Sequence, residues 1–171
     1  MDDNSAPYEE VGVVQLIELA KHLLLFDKNV PVVLGEEGAG KTVLCYRLVQ
    51  ALKRHFTPGL VQIHPGVQGA HLSERILEAF QLKVAPEALP TDAEDIISFL
   101  AANHASPILL IVDDAHYLSG VQVDFLQRCL ELAQEADLPM RMILLGEDQL
   151  AETVAVHFDD NQYRVMHIEP L

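Results

Sequence analysis

Val30-Pro31-Val32-Val33-Leu34 followed by Gly35-Glu36-Glu37-Gly38-Ala39-Gly40-Lys41-Thr42 is the stretch on which the fold turns. The octet fits G-x-x-x-x-G-K-[ST] in its required setting, after an apolar strand pattern and before a helical one over 43–55. Glycines let the backbone curl until successive N–H groups face one point, which makes a concave anion site. A helix starting near Gly40 adds the positive end of its dipole. In this pattern Lys41 brings a cation to the β- and γ-phosphates, and the Thr42 hydroxyl can ligate Mg²⁺. The expected nucleotide-binding set is these eight residues together with Val43. The expected cofactors are ATP and Mg²⁺, and no guanine-reading N-K-x-D run is present.

Working outward, 171 residues are most simply one domain with a core of its own. The chain is 50% hydrophobic and 22% charged, ordinary for a globular protein. Its 11 Lys and Arg face 26 Asp and Glu, for a net charge of −15. That balance opposes adsorption to nucleic acid or to an anionic membrane, because phosphate binding is driven by cationic side chains. The expected partners are ATP and ADP, and a second copy of the chain. Nucleic acid and direct membrane contact are not expected. Cys45 and Cys129 lie in apolar helical patterns and read as buried thiols in a reducing, cytoplasmic setting. The eight histidines show no zinc spacing. The acidic start Met1-Asp2-Asp3-Asn4 is unlike a signal peptide.

Residues 1–8 read as a loose arm and 9–171 as one core domain. Apolar positions at Val13, Leu16, Ile17, Ala20, Leu23 and Leu24 predict an amphipathic helix over 8–26. Strands are expected at 30–34, 60–64, 107–112, 140–145 and 163–168. Thr57-Pro58-Gly59 reads as a turn. Helices are expected at 41–55, 72–81, 91–104, 119–136 and 148–157. Two of them open on capping boxes, Thr91-Asp92-Ala93-Glu94 and Ser119-Gly120-Val121-Gln122. The run Ile108-Leu109-Leu110-Ile111-Val112 is apolar on both faces, as a central strand of a parallel sheet must be. Alternating strands and helices imply a three-layer α/β architecture.

A phosphate loop needs a group to hold the metal. Asp113 closes the most apolar strand, where ligands of doubly wound sheets bind, and is the expected Walker B carboxylate. Asp114 takes the place of the base that activates water. Asp is one methylene shorter than Glu, so its oxygens fall about 1.5 Å short, and a misplacement of that order costs roughly a hundredfold in rate. Asp114 is therefore expected to be a weak base, with slow or partner-stimulated turnover. His116 reads as a surface loop residue. At the end of the fourth strand, Glu147 stands where a γ-phosphate sensor is expected and would repel that phosphate unless it points away. Arg164, ahead of Arg128 and Arg141, is the candidate for a cation acting on a neighbour's site.

The stretches GEEGAGKTVLCYRLVQAL (35–52), ILLIVDDAHYLS (108–119), MILLGEDQL (142–150) and HIEPL (167–171) resemble the secretion-type AAA+ ATPases. Those include enzymes of the ExeA and MshM kind. Asp113-Asp114-Ala115-His116 and the ending Glu169-Pro170-Leu171 are similar to the DamX-like branch of N-terminal ATPase-like domains. The resemblance covers 9–171. It implies a P-loop NTPase fold of ASCE/AAA+ type, with a five-stranded parallel sheet in the order 5-1-4-3-2. It also implies an attachment to membrane-anchored envelope machinery. The chain departs from the family at Asp114 and Glu147, and ends where the family's helical lid would begin. The reading that results is a Mg·ATP-binding domain with weak hydrolysis, acting as a nucleotide switch in secretion, pilus or cell-division assembly. The alternatives are a DNA-associated ATPase of the transposition or initiator type and a non-hydrolysing scaffold.

Overall fold

A computed structural model describes residues 5–66, 69–104 and 106–168, with side chains except at 5–11 and 69–71. Five strands are present: β1 (Val30–Leu34), β2 (Thr57–Gln62), β3 (Ile108–Asp113), β4 (Met140–Gly146) and β5 (Tyr163–His167). They form one sheet in the order β2-β3-β4-β1-β5, with every neighbouring pair parallel. This is the expected order read from the other edge. β3 is buried along its whole length, as its apolar sequence requires.

Side chains alternate across the sheet with the strand period of two. Val30, Val32, Leu34, Ile108, Leu110, Val112, Met142 and Leu144 enter one layer. There they meet α3 (Gly69–Ala79), α4 (Ala93–Asn103), α5 (Gly120–Glu135) and α6 (Gln149–His157). Val33, Leu109, Ile111, Ile143 and Leu145 enter the other layer. They pack on α1 (Ser5–His22), the π turn Leu23–Asp27 and α2 (Lys41–Leu52). Among the described residues, no helix is long and apolar enough to cross a membrane.

Three local expectations need correction. The first helix starts at Ser5, within the stretch read as an arm. Pro7 falls in its first turn, where a missing N–H costs nothing. Thr57-Pro58-Gly59 is the start of β2 and not a turn. β2 is an edge strand, where proline is tolerated. Gly59 is there for space: a Cβ would come within 2.7 Å of the Phe80 ring. The cap of α4 is Asp92 and not Thr91, with its carboxylate accepting from the Asp95 N–H at 2.8 Å. The Ser119 capping box forms as expected, with both reciprocal bonds present. The Glu169-Pro170-Leu171 ending lies outside the described residues.

Candidate nucleotide-binding site

β1 ends at Leu34, and the chain curls at once. Gly35 donates its N–H to the Gly146 carbonyl at 3.0 Å, which ties the loop to the end of β4. Gly38 and Gly40 take φ of 85° and 99°, left-handed values that a side chain would oppose. Nothing lies within 4 Å of the place a Cβ would occupy on either, so the space above the loop is open. Gly40 is also the N-cap of α2 and offers no side-chain cap. The first-turn N–H groups of α2 thus lack the side-chain acceptor that Ser, Thr or Asp would provide there.

Lys41 is only 8% exposed. Its ammonium folds back and donates to the Gly35 carbonyl at 2.6 Å and the Glu36 carbonyl at 2.8 Å. A buried ammonium needs such partners, and loop carbonyls provide them here. Thr42 and Val43 are exposed at the mouth of the loop.

Asp113 closes β3, with β4 between it and the loop strand. It is 7% exposed. Burial raises its carboxyl above the ordinary carboxylate range. The charge of Asp114 pushes the same way, while a hydrogen bond from the Asp114 N–H (2.9 Å) and the charges of Lys41 and His116 pull it down. Beneath them, the Cys45 thiol is pushed up to about 11, by burial and then by Asp113.

Asp114 adopts φ 55°, a left-handed conformation that Asp tolerates better than most residues. Its shortness thus has a backbone reason as well. Its carboxylate accepts from the Gln62 side-chain amide at the end of β2. Gln62 in turn gives its carbonyl to the Arg75 guanidinium at 2.6 Å. Sequence reading missed both residues, because the second strand was placed two or three positions late. With the observed register, Gln62 stands directly opposite Asp113.

His116 is not a surface residue, for its side chain is only 3% exposed. Glu147 lies beside the loop, with its carboxylate 3.7 Å from the His116 ring. Arg164 is not brought to the loop. It lies inside β5 opposite Pro31, toward the N-terminal end of the sheet. Arg141 donates to the Leu24 carbonyl, and Arg128 pairs with Glu94 and Glu131. A cleft of about 720 Å³ at the opposite end of the sheet includes none of residues 35–42 and neither Asp113 nor Asp114.

A family model described as an AAA domain matches residues 23–154, more than three quarters of the chain. Together with the sheet order and the loop, this places the chain in the AAA domain family. Members of such a family hold a nucleotide, typically with Mg²⁺. Among solved structures, the chain is similar to Cdc6p from Pyrobaculum aerophilum, with a TM-score of 0.73 at 17% identity. That alignment covers 96% of this chain and 46% of the other. It is also similar to the Aeropyrum pernix ORC1 protein in complex with DNA, at TM-score 0.67 and 14% identity, covering 95% and 45%. Drosophila ORC bound to DNA gives 0.61 at 15% identity, covering 93% and 46%. At such identities the likeness is one of fold, and the chain spans less than half the length of these neighbours. No curated protein is significantly similar in sequence.

The expectation that nucleic acid is foreign to a chain of this build is overturned by these neighbours, two of which are solved with DNA. A sum over the whole chain says nothing about the local groups, or the further segments of a longer protein, that touch a phosphate backbone.

Proposed function

We propose that this chain is a Mg·ATP-binding AAA+ core with slow or partner-dependent hydrolysis. The observation that carries the reading is the left-handed glycine loop capping α2, with Lys41 bonded to the carbonyls of Gly35 and Glu36. Lys41 would exchange those carbonyls for phosphate oxygens, while the first-turn N–H groups of α2 line the cradle. Thr42 and Asp113 would hold Mg²⁺. Mg²⁺ characteristically takes one or two protein oxygens and completes its shell with phosphates and water.

Asp114 would accept a proton from the attacking water. Its short side chain and its bond to Gln62 support slow turnover. Asp114→Glu is expected to raise phosphate release several-fold, and a fall would show that reach is not what limits the base. The reading as a whole is tested by thermal denaturation. Mg·ATP at 100 times its Kd stabilises by about 2.7 kcal/mol, which for a chain of this length raises Tm by about 8 °C. Lys41→Ala should abolish that rise, and an equal rise in wild type and Lys41→Ala would refute the site.

The stretches shared with secretion-type ATPases support work in a cell-envelope assembly, on the cytoplasmic side where ATP is held. The solved neighbours bound to DNA favour a second reading, nucleotide-dependent work on DNA. Retention on duplex DNA that weakens steeply with salt would favour the second.

A further inference from the structure

His116 belongs to the short 3-10 turn Ala115–Tyr117 that follows the carboxylates of β3, yet its ring reaches across to the end of β4. Its Nδ1 accepts the Glu147 backbone N–H at 3.1 Å. A nitrogen that accepts carries no proton, so in the neutral ring the proton is on Nε2. Nε2 is the atom 3.7 Å from the Glu147 carboxylate. One imidazole therefore binds the backbone of Glu147 and turns its Nε2 edge toward the Glu147 carboxylate.

The neighbours are shaped to admit it. A Cβ on Gly146 would lie 3.0 Å from the His116 backbone nitrogen and 3.0 Å from its Nδ1. The opposing ring of Tyr117 lies 4.2 Å away, centroid to centroid. Gly146 is also the residue that binds Gly35 at the start of the phosphate loop. Glu147 thus leaves the sheet beside the loop, where an unrestrained carboxylate would repel a bound triphosphate. Its side chain is 38% exposed and has room to swing.

We infer that His116 is a positioning residue that draws the Glu147 carboxylate onto its own ring and away from the phosphate loop, so that the site tolerates a γ-phosphate. The inference rests on the nucleotide reading above. It makes a distinction that a packing role does not. ADP lacks the γ-phosphate, so release of Glu147 weakens ATP more than ADP. A damaged fold weakens both alike.

The test is the ratio of Kd values for Mg·ATP and Mg·ADP, by titration calorimetry on the full chain. Two variants are used, His116→Ala and His116→Asn. The second keeps an acceptor near the Nδ1 position and protects the fold, but loses the donor facing the carboxylate. Each should shift the ratio against ATP by about tenfold, the size expected for a like charge brought within several ångströms in a partly solvated site. Adding Glu147→Gln to either should restore the ratio, because the charge is gone. An unchanged ratio in both variants overturns the inference, and so does a loss that persists with Glu147→Gln in place. Wild-type chain that binds neither nucleotide overturns the nucleotide reading itself, and this inference with it.

Discussion

Asp113 shows what burying a single carboxylate costs a fold. Burial leaves its folded carboxyl with a raised pKa. The folded chain then binds this proton more tightly than the unfolded chain does. The stability it contributes is complete below the ordinary carboxylate value and is lost as pH rises through the folded one. At neutral pH the ionised group is therefore a net burden on the fold. Asp113→Asn keeps the shape and removes the charge. It should raise the Tm of the nucleotide-free chain. It should also remove the dependence of ATP binding on Mg²⁺. Scanning calorimetry with and without Mg²⁺ and ATP checks both. A lower Tm would mean that the pull of Lys41 outweighs desolvation. Lys41 and Asp113 are proposed from the sequence because the chemistry expected of them dictates both type and spacing. Gln62, Arg75 and the inward turn of His116 are not, since each contact joins segments remote in sequence.

At the scale of elements, edge strand β2 was the least legible. Pro58 and Gly59 carry turn chemistry, and local propensity favours reading them so. Pairing with β3 and the Phe80 ring decide otherwise. Gly59→Ala places a methyl 2.7–2.9 Å from three atoms of that buried ring. Overpacking of this kind costs about 1–3 kcal/mol, and a Tm loss of about 5 °C is expected. Phe80→Leu in the same chain should recover part of it. A Tm within error of wild type would mean that the ring moves freely. The cap of α5 illustrates the opposite case. Ser119 and Gln122 satisfy each other's backbone groups within four residues, so the helix start needed no tertiary information.

For the whole molecule, β3 is the axis of assembly. Its side chains feed both layers, Leu110 into the α3–α6 side and Ile111 into the α1–α2 side, and both are fully buried. Leu110→Ala should cost about 2–5 kcal/mol. In a domain whose total stability is typically about 5–15 kcal/mol, urea unfolding should show a large fall in midpoint with an unchanged slope. A small change would mean that the layer collapses into the space.

The alternation of strands and helices, the glycine-rich loop after β1 and the carboxylates at the end of β3 were all readable from the chain. Period and spacing act within a few residues, and local sterics and hydrogen bonding enforce them. The tertiary structure alone decided that Asp114 is engaged by Gln62, that the Glu147 backbone is bonded by His116, and that Arg164 lies away from the loop. These depend on strand register and on which chain ends the sheet brings together. That information is spread over contacts more than thirty residues apart, as His116 and Glu147 are, and no local window of sequence contains it.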